Sequence, residues 1–488
     1  MLFGVIPGPD FKSAAYLCDQ AKPFIDGVEL RLDLFEKIDI TELKTLMEQL
    51  GLPVILTVRR KDQGGAFEGD EKARLELIES LCRLQPAYID LEYDVPSDFR
   101  KKIFTAYPKT SFISSYHDFT KTPDLDAVYE KIKTPYAHIY KLAVTAQSSL
   151  DALRMIEFVQ SRSSHEKIIG ISMGEEGKST RILAPVIGSF LSYAYIDLVT
   201  APGQMNAREM QETYRFSKLN RKTAVYALIG DPVDKSLGAL IHNAVFDEQN
   251  INAVYLKIGV KKEDLAAFVD LARKLPFKGF SVTMPHKEVI IPFLDQVSIP
   301  SQAHGACNTI EIADGLWMGH NTDSIGALNA IEKRQPVSGK HIVFIGAGGA
   351  AKALIVEASK RGAFITVINR TPDKAIEIIK GLKGRGGGWD LLSQVCREGY
   401  DIIVNCVPDS QAIEDEWILP EKIAMDIVYV PKNTPFLLKA SQKKCRIIFG
   451  YEMFVGQAVE QQRIWFPQTI DCNKALALIE DKVVSALA

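Results

Sequence analysis

Along the first 215 positions, apolar residues fall into short runs of strand length. Between the runs they recur every three or four residues, the spacing of a helix face. The runs FGVIP, GVELRL, PVILTV, AYIDLEY, SFISSY, AHIYKL, KIIGISM and AYIDLVT predict eight strands. Stretches such as ELKTLMEQL and LDALRMIEFVQ predict amphipathic helices between most of them. Eight strand–helix units in about 215 residues predict an α/β fold closed into a (β/α)8 TIM barrel. An open doubly wound sheet is the alternative that would hold the same pattern.

The polar, basic stretch FSKLNRK at 216–222 breaks this rhythm and marks a boundary. A strand, AVYALIGDP, opens a second α/β series, which breaks again at RQPVSG (334–339) before the strand HIVFIG. The pattern thus predicts a barrel at 1–215, an α/β substrate lobe at 223–333 and a Rossmann nucleotide lobe at 334–450. C-terminal helices at 451–488 are expected to return to the substrate lobe. The segment KGRGGGW around Gly384–Trp389 reads as a flexible surface loop.

Composition narrows the classes. A chain of 488 residues exceeds one ordinary core. Its net charge of −3 offers no basic field for nucleic acid or an anionic membrane. No apolar run reaches the ~20 residues of a bilayer span, and the N-terminus MLFGVIPGPDF has no basic leader before an apolar run. Seven cysteines without a CxxC pair predict free thiols in a reducing cytoplasm. The dispersed histidines predict no metal site.

A cofactor signal lies in HIVFIGAGGAAKALIVEASKRG, a strand, a glycine turn and a helix in that order. Gly346, Gly348 and Ala351 fit the G-x-G-x-x-G/A fingerprint, with Gly349 and Ala350 inside the turn. Small residues there let backbone approach a pyrophosphate seated on the helix N-terminus. The next strand ends in Asn369, Arg370 and Thr371, with Lys374 one turn later. An NAD site usually carries Asp or Glu here, whereas a guanidinium can bind a 2′-phosphate. The expected cofactor is NADP.

Other polar positions point to chemistry. In GVELRLD, Glu29, Arg31 and Asp33 alternate with leucines and share one strand face. His117 ends the fifth predicted strand. Lys141 lies within the sixth between Ile139, Tyr140, Leu142 and Ala143, a poorly solvated place for a nucleophilic amine. In the second half, Thr283 and Lys287 flank a proline in FSVTMPHKE, Asn308 sits in GACNTI, and Asp323 precedes a helix in GHNTDSIG.

Residues 1–210 resemble type I 3-dehydroquinate dehydratases through ELRLD, TVRR, SYHDF, YKLAV, ISMGEEGKSTR and TAPGQ. Residues 223–488 resemble shikimate dehydrogenases through YALIGDPVDKS, FSVTMPHK, GACNTI, NTDSIG, GAGGAA, NRT, MDIVY and GYEMFVGQA. The whole chain is similar to the fused enzymes of plants and some bacteria. The first resemblance implies dehydration of 3-dehydroquinate to 3-dehydroshikimate through a Lys141 imine, with His117 moving the proton. Arg181 would bind the substrate carboxylate, with Glu29, Arg31, Arg59, Thr200 and Gln204 around the ring hydroxyls. The second implies NADPH-dependent reduction to shikimate by the pair Lys287 and Asp323. Asn308, Thr283 and Gln457 would then fix hydroxyls, Ser236 and Tyr429 the carboxylate, and Gly450 would face the nicotinamide.

Some positions depart from the family patterns. Gln63 stands where the dehydratases carry Glu in R-x-x-x-E-G-G, with Asp62 beside it as the expected substitute; Thr200 replaces a serine. Gly238 replaces the second serine of an S-x-S pair, and Lys235 replaces the preceding histidine. Three competing readings follow: a barrel that only binds, a catalytically silent regulator on DNA, and a dehydrogenase that prefers quinate.

Overall fold

Short runs, most of them buried along their length, build the first sheet from β1 (Leu2–Ile6), β2 (Gly27–Arg31), β3 (Val54–Thr57), β4 (Tyr88–Glu92), β5 (Ser111–Asp118), β6 (Ile139–Thr145), β7 (Ile168–Met173) and β8 (Ser192–Tyr195). The chain, seen here as a computed structural model, is described over residues 1–408 and 413–487. The strands lie in the order β7-β6-β5-β4-β3-β2-β1-β8, all parallel. Between β7 and β8 the barrel closes through single contacts such as Phe190 N–H to Ile168 O at 2.7 Å. The barrel is therefore nearly closed.

Inward positions form layers. Phe3, Val5, Ile55, Ile113, Ile139 and Ile169 fill the interior with apolar bulk. Two residues further along the same faces come Thr57, Ser115, Lys141 and Ile171. Polar chemistry thus begins where the packed floor ends, toward the C-terminal ends of the strands. Several helices of the outer ring open on aspartates that cap backbone N–H groups: Asp10, Asp39, Asp70 and Asp124. Each such cap stabilises its helix by about 1 kcal/mol.

One predicted strand is shorter than its apolar run. In AYIDLVT the ladder stops at Tyr195, and Leu198 and Val199 are 63% and 59% exposed. The apolar letters continue, but the chain has turned into the loop that carries Thr200 and Gln204.

The chain forms two compact units, Met1–Val225 with Asn252–Pro276, and Tyr226–Ile251 with Phe277–Ala488. The first also holds a strand β10 (Ala253–Gly259), which follows β9 (Ala224–Gly230) in the chain, and a helix Leu265–Ala272 packed on the helix Ser149–Arg162. In the second unit, β11 (Phe277–Val282), β12 (Gln296–Val297), β13 (Thr309–Ala313) and β14 (Leu316–His320) run β11-β13-β14-β12. The pairings β11–β13 and β13–β14 are antiparallel.

A second sheet in this unit contains β15 (His341–Ile345), β16 (Phe364–Ile368), β17 (Gly384–Gly387), β18 (Ile402–Asn405), β19 (Ile423–Asp426) and β20 (Arg446–Ile448). It is parallel throughout, in the order β17-β16-β15-β18-β19-β20. That is the Rossmann order, with the ligand crevice at the C-terminal ends of β15 and β18. The glycine stretch expected to be a loop is strand β17. A Cβ at Gly384 would sit 2.2 Å from Ile365 O, and one at Gly386 2.4 Å from Ala375 O. These glycines let a strand and a helix approach the edge closely, which composition alone reads as flexibility.

Helices Gly450–Trp465 and Cys472–Leu487 bury Val455, Ala458, Ala475, Ile479 and Val483 against Ile241 and Val245 of helix Gly238–Glu248. Gly326 and Gly456 meet where helix Asp323–Glu332 crosses helix Gly450–Trp465, which brings Asp323 near Gln457.

Candidate active sites

At the mouth of the barrel one pocket is lined by Glu29, Arg31, Arg59, His117, Lys141, Arg181, Thr200 and Gln204 together. All eight barrel residues given a catalytic or substrate-binding role by the resemblance therefore converge. Lys141 Nζ donates to Asp90 Oδ2 at 2.9 Å, lies 3.8 Å from Glu29 Oε1, and sits 4.4 Å from the centre of the Tyr193 ring. The amine is buried as expected, but its tip meets carboxylates rather than purely apolar neighbours.

Arg59 grips Asp90 with two bonds, of 3.1 and 2.9 Å, and also reaches Ser115 Oγ at 3.0 Å and His117 Nδ1 at 3.3 Å. Burial pushes the Asp90 carboxyl up, but Arg59 and Lys141 outweigh it and hold the group well below the usual carboxylate range. For His117, burial is the largest influence. With Arg59 and Lys141 it lowers the imidazole well below its usual value, against the pull of Asp90.

The remaining residues divide into braced and unbraced. Arg31 forms a two-pronged pair with Asp33, at 2.9 and 2.7 Å, and Glu29 accepts from Thr57 Oγ1 at 2.8 Å. Gln204 Oε1 accepts from Thr200 N, Thr200 Oγ1 and Ala201 N, so it shapes the loop after β8. Arg181 has only two backbone carbonyls at 3.5 Å, and burial lowers its guanidinium to about 10. Among the described residues it has no carboxylate partner, and its Nε is buried without a hydrogen bond. A buried, unpaired cation is costly unless an anion comes to it.

Sequence reading missed Asp90, Glu92, Ser115 and Tyr193. The signal was present: YIDLE alternates acids with apolar residues as ELRLD does. It also offered Asp62 as the carboxylate replacing the one lost at Gln63. The structure corrects this, since Asp62 is exposed and pairs with Arg60 at 3.1 Å. Gln63 lines the pocket with a buried, unpartnered Oε1.

The second unit holds a tighter cluster of fewer charges. Lys287 Nζ donates to Asp323 Oδ2 at 2.6 Å, while Asn308 Nδ2 donates to Asp323 Oδ1 at 2.9 Å and points to Gln457 Oε1 at 3.5 Å. Asn308 Oδ1 is fixed by Thr322 N and Thr309 Oγ1, both at 2.8 Å. Thr283, Ser236 and Tyr429 form no hydrogen bond with this cluster among the described contacts. Thr283 packs its methyl over Gly230. Tyr429 stacks on Phe454 at 5.2 Å. Ser236 Oγ accepts from Gly238 N at 3.1 Å, which fixes the Ser236 hydroxyl in its turn.

The turn after β15 fits a dinucleotide. Gly346 has φ +114°, a conformation suited to glycine, and nothing lies within 4 Å of a Cβ placed on Gly348. Helix Gly349–Lys360 starts there, with Ala350 in its first turn and Ala351 buried. Asn369 Nδ2 donates to Thr371 O at 3.0 Å, and Arg370 and Lys374 are exposed, with no ion-pair partner among the described residues. Gly450 starts its helix against the carbonyls of Val428 and Asp426. These donors fit NADP(H): glycines for the pyrophosphate, free cations for a 2′-phosphate.

Among the described residues no group of His, Cys, Asp and Glu could hold a metal ion, and no helix is long and apolar enough to cross a membrane. The fold and its two clusters define a pair of enzyme units, a barrel built around a buried lysine and a Rossmann unit with a Lys–Asp pair. Residues 2–221 match the family described as type I 3-dehydroquinase, and 228–310 the shikimate dehydrogenase substrate binding domain. The shikimate biosynthesis protein AroDE of Chlamydia pneumoniae is 34% identical, over 96% of this chain and 95% of its own. The chloroplastic bifunctional 3-dehydroquinate dehydratase/shikimate dehydrogenase of Arabidopsis thaliana is 33% identical, over 90% of this chain and 77% of its own. A crystal structure of shikimate dehydrogenase in complex with NADP+ is 35% identical with a TM-score of 0.50, covering 54% of this chain and 97% of that one. The chain belongs to the family of bifunctional 3-dehydroquinate dehydratase/shikimate dehydrogenases.

Proposed function

We propose that the barrel dehydrates 3-dehydroquinate to 3-dehydroshikimate and that the second unit reduces this product to shikimate with NADPH, in the cytoplasm and without nucleic acid or membrane as partner. The observation that carries the first half is a buried lysine facing a pocket beside an unpaired Arg181. Arg181 takes the ring carboxylate. The Lys141 amine adds to the ketone and water leaves as the imine forms. The imine acidifies the neighbouring carbon, and His117 takes its proton and returns it to the β-hydroxyl, which departs as water. Hydrolysis then frees the amine. Asp90, anchored by Arg59, keeps the amine on its approach line.

In the second unit, NADPH supplies the hydride to the ketone carbon. Lys287 stabilises and protonates the alkoxide that develops, Asp323 holds the ammonium, and Asn308 holds Asp323. Arg370 and Lys374 take the 2′-phosphate, and the first turn of helix Gly349–Lys360 takes the pyrophosphate. Ser236 and Tyr429 contact the carboxylate, while Thr283, Asn308 and Gln457 contact ring hydroxyls. Borohydride added during turnover of 3-dehydroquinate is expected to fix a covalent adduct on the peptide containing Lys141. An unmodified Lys141 peptide, with turnover intact, would refute the imine.

A further inference from the structure

A guanidinium donates hydrogen bonds and never accepts them. Arg59 Nη1 lies 3.3 Å from His117 Nδ1, so Nδ1 is the acceptor and neutral His117 carries its single proton on Nε2. Among the described residues Nε2 has no hydrogen-bond partner, and the ring lines the pocket. The resting site therefore shows the pocket an N–H, whereas the proposed elimination requires an unprotonated nitrogen there.

Arg59 has somewhere else to go. Its Nη1 carries two hydrogens but has three acceptors in reach: Ser115 Oγ at 3.0 Å, Asp90 Oδ1 at 3.1 Å and His117 at the longest distance. A fourth acceptor, Glu92 Oε1, stands 4.0 Å from the same nitrogen. Glu92 is itself fixed, receiving Arg74 Nη1 on Oε2 at 2.7 Å and the Arg60 N–H on Oε1 at 3.1 Å. Arg74 is fully buried and also donates to Val58 O at 3.1 Å. Neither Glu92 nor Arg74 lines the pocket.

We propose that Arg59 is a positioning residue that latches His117 as its Nε2–H tautomer and is drawn to Glu92 when a ring acid binds, which frees Nδ1. The proton then moves from Nε2 to Nδ1, and Nε2 becomes the base. Ser115 Oγ accepts from the same Arg59 nitrogen at 3.0 Å and directs its own proton to Asp90 Oδ1 at 2.5 Å, so it too loses a donor when Arg59 turns away. The charged groups facing His117 are Arg59, Lys141 and Arg31 on one side and Asp90 on the other, and only Arg59 changes partner. The latch rests on the reading of His117 as the proton acceptor.

Nitrogen-15 NMR of the full-length chain tests it, with the His117 signals assigned by their loss in His117→Asn. The free protein should show Nδ1 as the unprotonated nitrogen, and saturation with 3-dehydroshikimate should move the proton to Nδ1. In Glu92→Gln the liganded ring should remain Nε2–H, and dehydratase kcat should fall about tenfold, the effect of one pKa unit of differential interaction, with KM little changed. An Nδ1–H ring in the free protein, or no tautomer change on binding, overturns the latch. Undiminished dehydratase activity of His117→Asn would instead remove the reading beneath it, so the two failures are distinct.

Discussion

The two sites treat charge in opposite ways. In the barrel Lys141, Arg59, Asp90 and Glu29 are all buried, and every one is already paired by its neighbours. In the second unit Lys287 is only partly buried, and Arg370 and Lys374 stand in solvent. The difference follows the chemistry. Covalent catalysis uses an amine that stays in place, so the barrel can afford a dry, rigid frame drawn from neighbouring strands. Reduction by a dissociable dinucleotide needs cations that wait in water and become paired only when the phosphates arrive.

The contrast predicts separable lesions. Lys141→Met is expected to lower dehydratase kcat by at least about 10⁴-fold, the scale of losing a nucleophile, with dehydrogenase kcat intact; parallel assays of both reactions check it. Lys287→Met should do the reverse, cutting dehydrogenase kcat by about 10²–10⁴-fold, the range of a general acid. If either variant damaged both reactions alike, the two sites would not be independent.

Smaller effects are expected at the exposed cations and at His117. Arg370→Ala with Lys374→Ala should weaken NADPH binding about tenfold at low salt, and the loss should shrink as salt rises because exposed charges are screened; titration by fluorescence measures this. The lowered His117 keeps its ring unprotonated to more acid pH, so the acid limb of dehydratase kcat/KM should lie below 6.5. A limb at or above that value would show that burial, with Arg59 and Lys141 beside the ring, does not hold the imidazole neutral. Least of all, Gly238→Ser should lower the KM for shikimate a few-fold, as one added hydrogen bond of about 1 kcal/mol would. A clear preference of the unaltered chain for quinate over shikimate, with NADP as acceptor, would reverse the substrate choice.

Much of the architecture could be read from periodicity. Eight apolar runs spaced by helical stretches anticipate the barrel, and the strand–turn–helix at Gly346 anticipates the Rossmann crevice. What escaped is tertiary. Asp90 sits in an alternation like that of ELRLD, but its role appears only when β4 is set beside β5 and Lys141 arrives from the strand beyond. Asp62 adjoins Gln63 in sequence, yet the short helical turn at 61–63 sends it to solvent. The glycines of β17 look like a flexible loop because their purpose, close approach to Ile365 and Ala375, depends on partners far along the chain. Apolar letters past Tyr195 overstated β8 for the same reason: a run of such residues does not say where its ladder ends.

One chain carrying both reactions needs no second enzyme. Purified protein given 3-dehydroquinate and NADPH, with no other enzyme, should oxidise NADPH and accumulate shikimate in equal amounts. Lys141→Met should show no NADPH oxidation until 3-dehydroshikimate is supplied. If the intact chain reduces added 3-dehydroshikimate but leaves 3-dehydroquinate untouched, the barrel is a binding module and the account is wrong.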